Sequence, residues 1–265
     1  MNTFILFSCA VLVAVLGAWI AWPYVRRALH TRLAAVIAEV AERREHDVSI
    51  ALARQATDQS ATFVLERMMG SGHAYADKFS LLEASLEAAK PKPGGLYCEF
   101  GVYQGTTLNF IARRTELVVH GFDSFEGLPK DWRSGFGKGR FKVDALPKVE
   151  KNVKLHKGWF DETLPTFGEA HPGPLIFVHL DADLYDSTKI VFDILGDRIV
   201  EGTMLHFDEY FNYPGWQEGE HKAFEEFRLR RNVKVEFIGY VPGDEQVALR
   251  IVEIDPPRAP IGEKQ

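Results

Sequence analysis

From residue 96 onward, short apolar runs alternate with helix-like stretches, and that alternation leaves few folds open. Residues 96–102, 117–122, 153–156, 175–180 and 203–207 read as strands, each a brief apolar run bounded by turn residues. Residues 106–114, 187–195 and 221–231 read as helices, and residues 235–240 and 246–252 follow one another as an antiparallel pair would. This order predicts an α/β fold: a doubly wound, mostly parallel, Rossmann-like sheet of seven strands with helices on both faces.

Two of the strands end in paired acids. Residues 175–180 run into Asp181-Ala182-Asp183, and residues 202–207 run into Asp208-Glu209. Charges at the ends of buried strands are costly unless a metal, a ligand or solvent meets them. In an open α/β sheet the carboxyl ends of the strands are where ligands bind. Four acids at two such ends predict a site for a hard cation held by oxygen ligands.

The first strand ends in Glu99-Phe100-Gly101-Val102-Tyr103-Gln104-Gly105-Thr106-Thr107, and a helix starts at once. Glycines at such a turn let the backbone approach a ligand closely. The gap between them is wrong for the dinucleotide fingerprint, which disfavours a nicotinamide oxidoreductase. The next strand ends at Asp123-Ser124, about 20 positions on, where a ribose-binding carboxylate belongs; a turn-capping role is the alternative. Gly158-Trp159 after the third strand offers a backbone turn and a ring to an adenine, although core packing accounts equally well for Trp159.

His179 and His206 each sit two residues before an aspartate, on the same strand face as that aspartate. About 7 Å below the strand ends, they read as structural histidines or partners of the carboxylates rather than as a His-rich metal site. His221 is a candidate for substrate contact, and Tyr185, Tyr210 and Trp216 for an aromatic wall.

The N-terminus is set apart from this domain. Residues 3–23 carry no charge, Trp19, Trp22 and Tyr24 lie at one end of the apolar run, and Arg26, Arg27 and Arg32 follow. About 19 apolar residues suffice to cross a bilayer. The flanking charges favour an uncleaved transmembrane anchor over residues 1–24, rather than a signal peptide, with the catalytic domain on the cytoplasmic side. Residues 25–60 read as one long helix, a solvated stalk in preference to a self-associating helix, and a homo-oligomer stays open as a partner state. The main domain then covers 63–254, and 255–265, with three prolines, reads as a disordered tail. A formal net charge of −6 argues against nucleic acid as a partner, and Cys9 and Cys98 read as unpaired.

Several of these segments together resemble the macrocin/mycinamicin-type sugar O-methyltransferases, class I enzymes that use S-adenosylmethionine (SAM). The segments are Glu99-x-Gly101-x-x-x-Gly105, residues 121–129, Gly158-Trp159-Phe160, residues 179–188, Phe207-Asp208-Glu209-Tyr210, and residues 215–224. The likeness covers about 79–252. It implies SAM and a divalent ion, usually Mg²⁺, as cofactors. Carried over by position, Glu99, Gly101, Gly105, Thr106, Asp123, Ser124, Gly158, Trp159 and Asp181 would meet SAM. Asp181, Asp208 and Glu209 would hold the metal, with Asp183 as general base. The family commonly has two aspartates at the second ligand strand, so Glu209 departs from the pattern.

The reading is therefore a membrane-proximal, metal-dependent O-methyltransferase acting on a sugar hydroxyl of a glycan or glycolipid. Its rivals are a catechol or phenol O-methyltransferase, and a non-catalytic, membrane-tethered SAM-binding protein.

Overall fold

In the computed structural model the described residues are 2–257, with side chains described for 19–42 and 46–257. The chain divides into two compact units, Met1–Arg54 and Gln55–Gln265. The first is dominated by α1 (Asn2–Glu45), a continuous helix with Pro23 inside it. Among the described residues, no helix is long and apolar enough to cross a membrane. This overturns the expected transmembrane anchor and the cytoplasmic-side localisation built on it. The part of α1 whose side chains are described carries Arg26, Arg27, Arg32, Glu39 and Glu42, too much charge for a span. The apolar side chains of residues 2–18 lie outside the described residues.

The single helix expected over 25–60 is two. It breaks at His46-Asp47, where the Asp47 carboxylate accepts the Ser49 amide at 2.9 Å, an aspartate turn that competes with helix continuation. α2 (Val48–Arg67) follows. From residue 55 it belongs to the second unit: Ala56 and Ser60 are buried, and the Phe63 ring meets Tyr210, Trp216, His221 and Phe237 at 5.5–5.9 Å.

The second unit carries a mixed sheet of eight strands rather than seven, in the order β1-β7-β8-β6-β5-β2-β3-β4. They are β1 (His73–Ala74), β2 (Leu96–Phe100), β3 (Val119–Asp123), β4 (Val153–Lys157), β5 (Leu175–Leu180), β6 (Ile199–Phe207), β7 (Lys234–Tyr240) and β8 (Val247–Glu253). The extra strand, β1, is two residues paired in parallel to Gly239 and Tyr240, too short to leave a periodic signal. Only β8 runs antiparallel to its neighbours.

Side chains alternate across the sheet, as strand geometry requires. Val178 and Leu205 pack with α5 (Phe160–Ala170), α6 (Tyr185–Leu195) and α7 (Glu220–Arg230), while Phe177 and Met204 pack with α3 (Lys78–Ala88) and α4 (Thr106–Ala112). Cys98 is free and buried in β2. The tail expected from Asp255 is anchored at its start, since Arg231 donates to the Asp255 carbonyl at 2.7 and 3.1 Å. Residues 258–265 lie outside the described residues.

A histidine cluster sits between β3, β4 and the end of α5. His120 Nδ1 lies 3.0 Å from His156 Nε2, and the His171 ring is 4.9 Å from that of His120. Burial, then the positive neighbours His156, His171 and Lys154, push His120 down to about 4. An unfolded histidine titrates near 6.5, so between 6.5 and 4 the unfolded chain takes up a proton that the folded one refuses. The contribution is fully present above pH 6.5 and is lost as pH falls toward 4. Calorimetric melting should show a lower Tm at pH 5 than at pH 7.5, with a smaller drop in His120→Phe. An equal drop in that variant would exclude His120 as a source.

Candidate active site

Strand register decides which sequence signals meet. Phe122 pairs with Phe100, Phe100 with Leu180, and Leu180 with Phe207. The next residues along, Asp123, Gly101, Asp181 and Asp208, therefore stand in one row at the carboxyl edge. The ladder extends into that row: Gly101 N donates to Phe122 O, Asp181 N to Phe100 O and Asp208 N to Leu180 O, at 2.8–2.9 Å. Chain order reverses between β2 and β5, so the row opens on a topological switch point.

A cavity of about 600 Å³ lies over this row. Gly101, Asp123, Ser124, Gly158, Trp159, Asp181, Asp183, Asp208 and Glu209 line it; Glu99, Gly105 and Thr106 do not. Glu99 is fully buried beneath the row, where it accepts the Thr107 hydroxyl at 3.0 Å and faces His179 Nδ1 at 3.0 Å. Thr106 points outward, because it is Thr107 that turns in to meet Glu99. Gly105 caps α4 in the left-handed region.

Gly101 also has positive φ, and a β-carbon there would overlap the Asp181 carbonyl. Its bareness lets β2 and β5 close together. Asp123 accepts the amides of Val102 and Tyr103 at 2.8 Å and that of Phe125 at 2.6 Å. These bonds match the turn-capping alternative and hold the glycine turn in place. A carboxylate has about four acceptor positions, so one remains for a ligand.

Asp181, Asp208 and Glu209 each offer an oxygen, all within 4.8 Å of one another. Asp208 Oδ1 and Glu209 Oε2 are buried without a hydrogen-bond partner, which buried polar atoms rarely tolerate. A hard cation fits this all-oxygen set. Burial and the neighbouring carboxylates push Asp181 and Glu209 well above the usual carboxylate range.

Asp183 has φ +60° and is buried. Burial first, then Asp208, raises it against the opposing pull of Arg133, to about 7. A group at this value both accepts and releases protons near neutrality.

His179, His206 and Asp208 form a second group whose ligand atoms lie within 4.8 Å. Other partners engage both rings, however: Glu99 holds His179, and Ser85 Oγ lies 3.1 Å from His206 Nδ1. His179 Nε2 reaches to 4.0 Å from Asp208 Oδ1, so Glu99 and His179 back the carboxylate from below.

Several residues of the cavity carry no sequence signal. Lys78, the first residue of α3, is set there by the Asp77–Ser80 capping box, and its Nζ lies 3.7 Å from Asp208 Oδ2. Burial would lower Lys78, but Asp208, Asp181 and Glu209 together raise it. Trp132, Arg133, Phe136 and Phe141 come from the loop between β3 and β4. Arg133 is clamped by both oxygens of Glu245 at 2.8 and 2.9 Å and lies over the Trp132 ring.

These rings stand where Tyr210 and Trp216 were expected. Those two are instead buried around Phe63, with His221, and burial pushes His221 down to about 4. Tyr185 bonds Glu226 at 2.8 Å. None of the four lines the cavity.

Residues 138–240 match the family model described as macrocin-O-methyltransferase (TylF). Over that stretch the chain is similar to the macrocin O-methyltransferases. It is 30% identical over 145 residues, 44% of this chain and 53% of the relative, to the 8-demethyl-8-(2,3-dimethoxy-alpha-L-rhamnosyl)-tetracenomycin-C 4'-O-methyltransferase of Streptomyces olivaceus. It is 27% identical over 173 residues, 55% of this chain and 62% of the relative, to the demethyldecarbamoylnovobiocin O-methyltransferase of Streptomyces niveus. The chain thus matches between about half and three fifths of the length of these curated relatives. Among solved structures, the calicheamicin methyltransferase CalS11 is 25% identical with a TM-score of 0.50, over 65% of this chain and 76% of that one. The sheet is that of a class I methyltransferase, with β1 added at one edge.

Proposed function

We propose that this protein transfers a methyl group from SAM to a sugar hydroxyl, assisted by a divalent cation. The observation that carries the reading is the meeting of Asp181, Asp208 and Glu209 within 4.8 Å, in the cavity that Gly101 and Asp123 also line. The O-methyltransferase names of the relatives support the reaction class.

The β2 turn, Asp123, Ser124 and the Gly158-Trp159 turn form the donor half of the cavity. Trp132, Phe136 and Phe141 form an apolar wall suited to the face of a sugar ring. Asp181, Asp208 and Glu209 would hold the cation. A bound divalent cation lowers the pKa of an oxygen it contacts and fixes its position. Asp183 then accepts the hydroxyl proton as the new C–O bond forms and the S–CH₃ bond breaks, leaving a neutral thioether. Holding acceptor and donor in line supplies much of the remaining rate gain.

The test is transfer of labelled methyl from SAM to a panel of glycosides and phenols. Sugar acceptors should be labelled, EDTA should lower the rate at least about 100-fold, as loss of a metal worth several kcal/mol implies, and Mg²⁺ should restore it. Full activity in EDTA would remove the cation from the reading. Labelling of phenols alone would favour the phenol alternative, which the aromatic wall also suits.

A further inference from the structure

Glu220 is a fully buried acid near the site that the proposed chemistry leaves unused. It opens α7, and its side chain is wholly shielded from solvent. It does not line the cavity; it lies behind the two acidic turns. Glu220 Oε1 accepts the Ala182 amide at 3.2 Å and the Thr188 hydroxyl at 3.1 Å, while Oε2 faces the Glu209 amide at 3.4 Å. One carboxylate thus spans two turns that the sheet joins only through the β5–β6 ladder. Ala182 lies between Asp181 and Asp183, and Glu209 is itself one of the three converging acids.

The placement of Glu220 is over-determined. A β-carbon on the preceding Gly219 would overlap the Tyr213 hydroxyl. That hydroxyl reaches back to the Glu209 carbonyl at 3.5 Å. The second acidic turn is therefore gripped at its amide by Glu220 and at its carbonyl by Tyr213. Burying one more carboxylate beside Asp183 and Asp208 is electrostatically costly. The three donors that Glu220 meets offset part of this cost, and burial with the neighbouring Asp183 and Asp208 still raises the group to about 8.

We infer that Glu220 is a positioning residue: by tying the Ala182 and Glu209 amides to one carboxylate, it fixes the spacing between Asp181 and the Asp208-Glu209 pair, and so sets the affinity for the divalent cation. The inference rests on the cation reading above. Glutamine is the informative replacement. It keeps the acceptor for Ala182 and Thr188 but turns an amide donor toward the Glu209 N–H, so only the tie to the second turn is lost. Thr188→Val removes a single bond with little change in shape, and serves if Glu220 variants fold poorly.

The experiment is Mn²⁺ titration of the full chain, followed by the electron paramagnetic resonance of free Mn²⁺, alongside calorimetric SAM binding in the absence of metal. Outer partners of metal ligands typically contribute about 10–100-fold in affinity. Glu220→Gln should raise the Mn²⁺ dissociation constant at least about 10-fold on that scale, and Thr188→Val should raise it to a smaller extent. SAM affinity should stay within about 3-fold of wild type, since neither residue reaches the donor half. A generally loosened domain would weaken both ligands together and would overturn the inference. So would unchanged Mn²⁺ affinity in a folded Glu220→Gln, or in Thr188→Val if the former does not fold. No saturable Mn²⁺ binding by the wild type, or binding unaffected by Asp181→Asn, would instead overturn the cation reading, and this inference with it.

Discussion

Asp208→Asn should abolish saturable Mn²⁺ binding and lower methyl transfer at least about 100-fold, equivalent to about 2.7 kcal/mol of transition-state stabilisation. Asp208 is where the charges of the site converge. It joins Asp181 and Glu209 in the acidic group and faces Lys78 Nζ at 3.7 Å. The fully buried His179 stands behind it, with Nε2 at 4.0 Å from Oδ1. Asparagine keeps the volume and one acceptor but removes the charge, leaving Lys78 with one counter-charge fewer. The fold should survive, because the backbone amide of residue 208, not its side chain, continues the ladder to Leu180. Circular dichroism and SAM affinity near wild-type values, with activity lost, would isolate the effect to the charge. Activity within about 3-fold of wild type would rule out Asp208 as a ligand, since removal of a transition-state interaction of this kind costs far more.

Gly101→Ala should have a large structural effect for a single added methyl group. The β-carbon would overlap the Asp181 carbonyl, and φ at this position is +93°. Both the overlap and the left-handed backbone penalise a side chain. Relief requires β2 and β5 to part at the row where Gly101, Asp181 and Asp123 meet. A loss of about 2–4 kcal/mol is the scale for overpacking combined with backbone strain. Chemical denaturation would measure it, and SAM binding should fall in parallel. Gly105→Ala is the informative companion, since it shares the positive φ but a β-carbon there meets no backbone, only the side chains of Pro147 at 3.3 Å and Asn109 at 3.7 Å. If Gly101→Ala were as stable as wild type, the close approach of the two strands would not depend on the bare glycine.

The two halves of the site were unequally legible in the sequence. The acidic pairs announced themselves, because a buried strand that ends in charge is a local pattern. Asp123 was visible by its spacing, but its three backbone donors appear only when β3 lies beside the β2 turn. Glu99 shared a motif with Gly101, yet it turns into the sheet to hold His179 and Thr107. Spacing along a strand does not report which neighbouring side chain will claim a carboxylate. Tyr210 and Trp216 failed as an aromatic wall for a similar reason. The Phe63 ring of α2, which the sequence reading assigned near a domain boundary, packs against them.

By itself the sequence determined the alternation of strands and helices, the strand ends that carry charge, and the glycine turn. These follow from periodicity and chain punctuation, which are properties of neighbouring residues. Tertiary structure decided which of those ends stand side by side. The Phe122–Phe100–Leu180–Phe207 register aligns residues 101, 123, 181 and 208. Capping geometry brings Lys78 to them from α3, and burial brings Glu220 behind them from α7. Contacts across so many residues are set by strand order and helix packing, and neither leaves a local mark on the chain.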